Sequence, residues 1–232
     1  MNRTLFLRAA LAASLGPVLT ACAPVPGHDR LASPPVPSAQ AHGESGASPA
    51  PRPADPDLAR AQAAATAFGG RLRAALQAAL QAGGPTAAVE VCQAEAPAIA
   101  TAVMVTHGVR LGRVALPGRN RNPGQAADGW RLATLEAFQR AVERGAPAGE
   151  QVAVLRTDLP DGVALRMVRG IATEPACLAC HGGQVAPAVR RAIAAHYPDD
   201  AATGFAVGDL RGALWVEVPT APAPSFPPED AP

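Results

Sequence analysis

The sequence predicts an α+β domain built on an antiparallel sheet with flanking helices, because helical patterns fill the first half of the chain and strand patterns the second. Apolar side chains recur every four residues between positions 68 and 80, which is the spacing of one helix face. Alternating runs at 152–156 and 163–171 flank Asp161-Gly162, which is typical of a hairpin. The ordered domain is therefore expected at residues 57–219.

Three helices are predicted in the first part of this domain. The first ends at Gly83-Gly84, and its apolar stripe consists of Phe68, Leu72, Leu76 and Leu80. The second begins at Pro85 and is kinked or divided at Pro97; its stripe consists of Val89, Cys92 and Ala96. The third follows Asp128, which can cap it, and ends before Gly145; its inward face consists of Leu132, Leu135, Phe138 and Val142.

Strands and one short helix are predicted elsewhere. A strand is expected at 109–116, and a short helix is expected from Pro187 to Tyr197. Strands at 204–207 and 213–218, joined by a glycine-bounded turn, predict a second hairpin. Alternation along the last strand places Leu214, Val216 and Val218 on one face, and Trp215 and Glu217 on the other.

The N-terminus has the pattern of a lipoprotein leader. Two arginines, an apolar run at 9–19 and the lipobox Leu19-Thr20-Ala21-Cys22 predict a signal peptide over residues 1–21. Lipidated Cys22 would anchor an exported, periplasm-facing protein to a membrane, and Ala23 after it favours the outer membrane. An ordinary cleaved signal with an incidental cysteine is the alternative, and it also exports the chain. No later segment is expected to cross a membrane.

Composition predicts a disordered segment on each side of the domain and argues against nucleic-acid binding. Residues 22–56 are rich in Pro, Ala and Ser, which predicts a disordered tether, and the proline-rich residues 220–232 predict a disordered tail. The net charge is only +1, although all 20 basic residues are arginine. A net charge this close to zero does not indicate nucleic-acid binding.

The pentapeptide Cys177-Leu178-Ala179-Cys180-His181 has the spacing that attaches one covalent haem c. Its thiols can reach the two vinyl groups of a porphyrin, and the adjacent imidazole can bind the iron as proximal ligand. A zinc half-site would need a second ligand pair, and a redox disulfide is expected beside a βαβ pattern. Export favours haem, because c-type attachment takes place outside the bacterial inner membrane, where free thiols would otherwise be oxidised.

The second axial ligand has five candidates, which are Cys92, Met104, His107, Met167 and His196. Cys92 is the cysteine that remains once one is lipidated and two form thioethers. Its thiolate would stabilise ferric iron and lower the potential, whereas an inert buried core residue explains it equally well. The two histidines stand at predicted helix ends, where surface or capping residues are expected.

Several motifs occur in a fixed order: AVEVC at 88–92, RNP at 121–123, CLACHG at 177–182, YPDDAATGF at 197–205 and GDLRGA at 208–213. Together they resemble the family of PAS-like, single-haem c-type cytochromes known as the Tll-type haem-sensor domain. The resemblance covers roughly residues 58–218. It implies a PAS-like fold, with His181 as proximal ligand and Cys92 as distal ligand.

The chain departs from this family pattern in two places. Gln125 and Ala127 stand where the family usually has an asparagine and a proline, which weakens any inference about how that loop binds. Trp215 replaces a small serine in the last strand, and we expect it to change the packing on one sheet face.

An arginine-rich segment is the candidate partner of the haem propionates, since partly buried carboxylates need cationic or amide partners. The densest cluster consists of Arg113, Arg119, Asn120, Arg121 and Asn122. Of these, Arg121 and Asn122 are taken as cofactor-binding residues. A solvated loop is an equally good explanation of the cluster.

These features favour a sensor of redox state or of a small diatomic ligand. No output module is recognised after the haem motif, so a signal would pass to a separate protein partner. The alternative is a periplasmic electron carrier, which commonly binds its haem through His and Met. An enzyme such as a peroxidase would need acid–base groups that nothing in the sequence specifies, so no enzyme activity is expected.

Overall fold

A four-stranded antiparallel sheet forms the centre of the domain. The computed structural model describes residues 55–220. The strands are β1 (Arg110–Val114), β2 (Val152–Leu155), β3 (Val163–Ala172) and β4 (Leu210–Pro219), and their order across the sheet is β1-β4-β3-β2. Helices flank the sheet, so the predicted α+β class is confirmed.

Several predictions concern residues beyond this range. The signal peptide, the lipidated Cys22, nearly all of the tether at 22–56 and nearly all of the tail at 220–232 lie outside the described residues. They stay predictions.

A long helical run covers one face of the sheet. It consists of α1 (Pro56–Glu90), a π-helical turn (Val91–Glu95) and α2 (Ala96–His107). The carboxylate of Asp55 caps α1 by accepting hydrogen bonds from two backbone N–H groups of its first turn. The core on this face includes Phe68, Leu72, Val103, Leu165, Met167, Leu214, Val216 and Val218.

The run bends where the sequence predicts the end of the first helix. Gly84 has φ 70° and ψ −166°, values that a helix cannot contain, and Pro85 begins the next helical segment. The chain is not divided at Pro97, however. It widens one turn earlier into the π-helical turn, and Pro97 lies in the first turn of α2.

One further property of this run differs from expectation. Residues Pro56–His107 contain an 18-residue stretch of mean hydropathy 1.3, which is long and apolar enough to cross a membrane by length and composition. The expectation that no segment after the leader reaches this level was therefore wrong. Core helices of folded domains meet the same criterion, and here the run bends and supplies Phe68 and Val103 to the core beside the sheet.

The opposite face of the sheet packs against α3 (Gly129–Glu143), whose Leu135 and Phe138 are buried. Trp215 meets Trp130 of α3 edge to face, with ring centroids 6.3 Å apart. The two faces predicted for β4 are thus confirmed. Asp128 precedes α3 but makes no capping hydrogen bond, because its carboxylate pairs with Arg131 at 2.7 Å.

The predicted second hairpin was wrong. Residues 204–207 form no strand, and β4 pairs instead with β1 and β3. The backbone N–H groups of Gly204 and Phe205 donate to the carbonyls of Gly182 and His181, at 3.1 and 3.0 Å. This segment therefore holds the end of α4 (Leu178–His181), which α5 (Pro187–His196) follows.

Gly170 of β3 lies directly under the turn that precedes β2. A Cβ atom at Gly170 would collide with the backbone carbonyl oxygen of Ala148, whereas one at Gly149 would meet only a methyl group at 3.6 Å. We expect Gly170→Ala to lower the free energy of unfolding by roughly 1–3 kcal/mol in chemical denaturation. Gly149→Ala is the control and should stay within about 0.5 kcal/mol of the parent. Equal stability of both variants would contradict this packing.

Candidate functional site

A cavity of about 440 Å³ opens among the π-helical turn, β1, the loop at 121–125 and the end of α5. Its volume falls in the range of about 300–1,000 Å³ that is usual for small-molecule sites. The chemically active side chains that line it are Cys92, Arg113, Arg121, Asn122, His181, His196, Tyr197 and Arg211.

The His181 imidazole is fixed in one tautomer. Its Nδ1 lies 2.7 Å from the Ala202 carbonyl oxygen, which can only accept, so Nδ1 carries the hydrogen. The lone pair is then on Nε2, where Nη2 of Arg211 approaches to 3.3 Å. Burial, assisted by the charges of Arg211 and Arg121, lowers the pKa of His181 to about 3. The imidazole is therefore neutral at physiological pH, as a metal ligand requires.

A buried ion pair holds the surroundings of His181 in place. Arg121 donates through Nε and Nη2 to the two carboxylate oxygens of Asp200, at 3.1 and 3.3 Å, and the two side chains are only 7% and 11% exposed. Nη2 of Arg121 also donates to the Cys180 carbonyl at 2.7 Å. Asp200 in turn accepts from the backbone N–H of Ala202 at 2.9 Å.

Cys177 directly precedes α4 and Cys180 lies within it, so the two are about one helical turn apart, which brings their thiols to the same side. Burial raises the pKa of the Cys180 thiol. Both residues and Cys92 are free thiols. Among residues 55–220, no group of three or more His, Cys, Asp and Glu side chains is arranged to hold a metal ion.

Cys92 reaches the cavity from the π-helical turn. Such a turn inserts one residue into a helix and frequently marks a functional site. Among the other candidates for the second axial position, only His196 lines the same cavity, and its Nε2 lies 2.9 Å from Oε1 of Glu90. Met167 is buried in the core, Met104 packs at its edge, and neither they nor His107 line the cavity.

The predicted arginine cluster divides in the structure. Arg121 and Asn122 line the cavity, as does Arg113. Two nitrogens of Arg121 are already hydrogen-bonded, however, to the Asp200 carboxylate and to the Cys180 carbonyl. The Asn122 side chain accepts from the backbone N–H of Gly124 at 2.9 Å.

The remaining members of the cluster point elsewhere. Arg119 lies over the Phe205 ring, at 3.9 Å from its centroid, and lines a second cavity of about 400 Å³. Asn120 donates to the Asn122 carbonyl at 3.1 Å. Sequence reasoning missed Arg211 and Asp200; both stand in the motifs on which the family resemblance rests, and that was the available signal.

The Tll0287-like family matches residues 54–219. The chain belongs to this family. A solved member, described as the cyanobacterial heme-protein Tll0287, is 26% identical, and the match covers 73% of this chain and 99% of that one, with a TM-score of 0.52. No curated protein matches the chain.

The site of this Tll0287-like chain fits a haem. The His181 imidazole donates its Nδ1–H to a backbone carbonyl and keeps its lone pair on Nε2, which is the arrangement typical of a metal-bound histidine. The cationic wall formed by Arg113 and Arg211 suits a cofactor that carries two carboxylates, whereas Arg121 is paired with Asp200. Arg211 Nε is buried without a hydrogen-bond partner in the described residues, so this wall still has an unsatisfied donor.

Breaking the Arg121–Asp200 pair should cost much more stability than breaking a pair at the surface. In Asp200→Asn the carboxylate charge is lost while Arg121 stays buried, so we expect about 3 kcal/mol of destabilisation in chemical denaturation of the full chain. The control is Glu136→Gln, which removes the exposed partner of Arg140 and should change stability by about 0.5 kcal/mol or less. Similar losses in the two variants would show that the buried pair is not structural.

Proposed function

We propose that this chain is an exported, lipid-anchored c-type cytochrome that holds one covalent haem in a PAS-like domain and senses redox state or a small diatomic ligand. The observation that carries the proposal is that Cys92 and His181, which are far apart in the sequence, line one cavity beside the attachment motif. The heme-protein Tll0287 as a structural match supports the cofactor class.

His181 serves as the proximal ligand, and Cys177 and Cys180 form the thioethers. The Ala202 carbonyl orients the imidazole so that Nε2 faces the cavity, and the Arg121–Asp200 pair keeps the backbone around the motif rigid. A hydrogen-bonded Nδ1–H also makes the imidazole a stronger donor. When bound, the haem supplies an iron that changes oxidation state by one electron and can bind a small ligand.

Cys92 serves as the second ligand and as the part of the site that responds. Its thiolate favours the ferric state, and ferrous iron holds a thiolate less well, so the π-helical turn carries the residue whose coordination can change. The turn lies between α1 and α2, which cover the sheet, and a change at Cys92 therefore acts directly on helices of the domain core.

The sheet topology and the N-terminal sequence support the PAS-like fold and the cellular location. An antiparallel sheet with its last strand in the centre and helices packed on its faces agrees with a PAS-like sensor domain. The lipobox before Cys22 supports export and anchoring. The partner that receives the signal would be a separate periplasmic protein.

Covalent attachment can be tested on the pigment itself. Expressed with a working cytochrome c maturation system, the chain should keep its haem through acid acetone extraction, because thioether bonds survive that treatment. The double variant Cys177→Ala with Cys180→Ala should release any pigment that it binds. Cys92→Ser is the control and should keep the haem attached; extraction of the pigment from the parent protein would refute attachment.

The axial role of Cys92 predicts a spectroscopic and a redox change. Axial ligands set haem potentials over a range of about 0.8 V, so Cys92→Ser should raise the midpoint potential by on the order of 0.1 V and abolish the low-spin thiolate spectrum. Met104→Leu is the matched control and should change neither.

The opposite pattern would support the electron-carrier alternative. A high potential that is insensitive to Cys92→Ser but altered by Met104→Leu would identify a His/Met haem and remove the sensing proposal.

A further inference from the structure

An irregularity of the sheet places Arg211 in the cavity. Ile171 of β3 pairs with Gly212, yet the next residue, Ala172, pairs with Leu210, so Arg211 is the extra residue of a β-bulge. Gly212 has φ +152°, and a Cβ atom there would collide with the carbonyl oxygen of the last residue of β1. Bulges of this kind redirect a side chain beside functional sites, and the side chain of Arg211 lines the cavity.

The guanidinium of Arg211 is not satisfied by the protein. Nη2 lies 3.3 Å from Nε2 of His181, and the buried Nε has no hydrogen-bond partner within residues 55–220. In the same range no carboxylate comes within salt-bridge distance of Arg211 or of Arg113. Arg121 differs, because Asp200 neutralises it. Two cations at this cavity therefore lack an anion.

The contact between Arg211 and His181 is incompatible with the imidazole acting as a ligand. Nδ1–H donates to the Ala202 carbonyl, so Nε2 is the one nitrogen with a lone pair for the iron. Once that lone pair is used, Arg211 needs another acceptor, since a guanidinium only donates and stays charged. Arg211 also lines the second cavity, beside Arg119, so its side chain borders open space on two sides.

We propose that Arg211 is the arginine that binds a haem propionate, with Arg113 as the second cation near these carboxylates. The planar guanidinium can donate two parallel hydrogen bonds to one carboxylate. This inference rests on the proposed haem binding. It assigns the propionate contact to Arg211 instead of Arg121, because Arg121 is already bound to the Asp200 carboxylate and to the Cys180 carbonyl.

The test uses the full haem-loaded chain and compares Arg211→Gln with Arg169→Gln. Arg169 is an exposed residue of β3, so its variant makes the same change in net charge away from the cavity. Resonance Raman spectroscopy should show shifted propionate bending bands in Arg211→Gln and unchanged bands in Arg169→Gln. The midpoint potential should fall in Arg211→Gln alone, because an unpaired propionate stabilises the ferric state.

Propionate bands and a midpoint potential in Arg211→Gln that equal those of Arg169→Gln would overturn the proposal, although haem attachment and the Cys92 spectrum would stand. Should Arg211→Gln not accumulate, Arg211→Lys is measured in the same way. It keeps the charge but loses the two-fold hydrogen bond, so shifted bands support the proposal and unshifted bands refute it. Failure of haem binding itself is recognised separately, because the parent protein would then be colourless.

Discussion

The hydrogen bond from His181 Nδ1–H to the Ala202 carbonyl is the interaction on which the site depends. It fixes the tautomer and turns Nε2 toward the cavity. The segment that provides it is held on both sides: Asp200 accepts from the Ala202 N–H, and Phe205 donates to the His181 carbonyl. Arg121 joins Asp200 to the Cys180 carbonyl, so three distant parts of the sequence form one rigid wall.

Much of the fold follows from local pattern, because helix stripes and strand alternation record which side chains face the core. The alternation of β4 correctly separated Leu214 from Trp215. Pairing was harder to predict. Glycines around residues 204–212 signal a turn in either arrangement, and one of the two partners of β4 is β1, about one hundred residues away. Nothing in the periodicity distinguishes the π-helical turn at Val91–Glu95 from an ordinary helix.

Candidate site residues could be predicted where they lie close together in the sequence, but not where their role depends on the direction of a side chain in the fold. The candidate haem motif could be recognised because Cys177, Cys180 and His181 lie within five consecutive residues. The arginines were not, since neighbours along a loop point in different directions: Arg119 stacks on Phe205, whereas Arg121 binds Asp200. Arg211 could not be found as a member of the arginine-rich segment, because it lies nearly one hundred residues later in the sequence and a β-bulge brings it to the same cavity.

Charge connects the proposed ligand to the proposed response. Two propionates would neutralise Arg113 and Arg211, and the Cys92 thiolate would neutralise the formal charge of ferric iron in the porphyrin. Reduction would upset this balance, because the thiolate would then be an uncompensated negative charge in a partly buried site, where Coulomb energies are larger than in water. Within the described residues the other cations on the cavity wall are paired, Arg121 with Asp200 and His196 with Glu90, so loss of the thiolate ligand would remove the excess negative charge. A His/Met site would carry no such charge, so a Cys92 ligand would favour a sensor over an electron carrier.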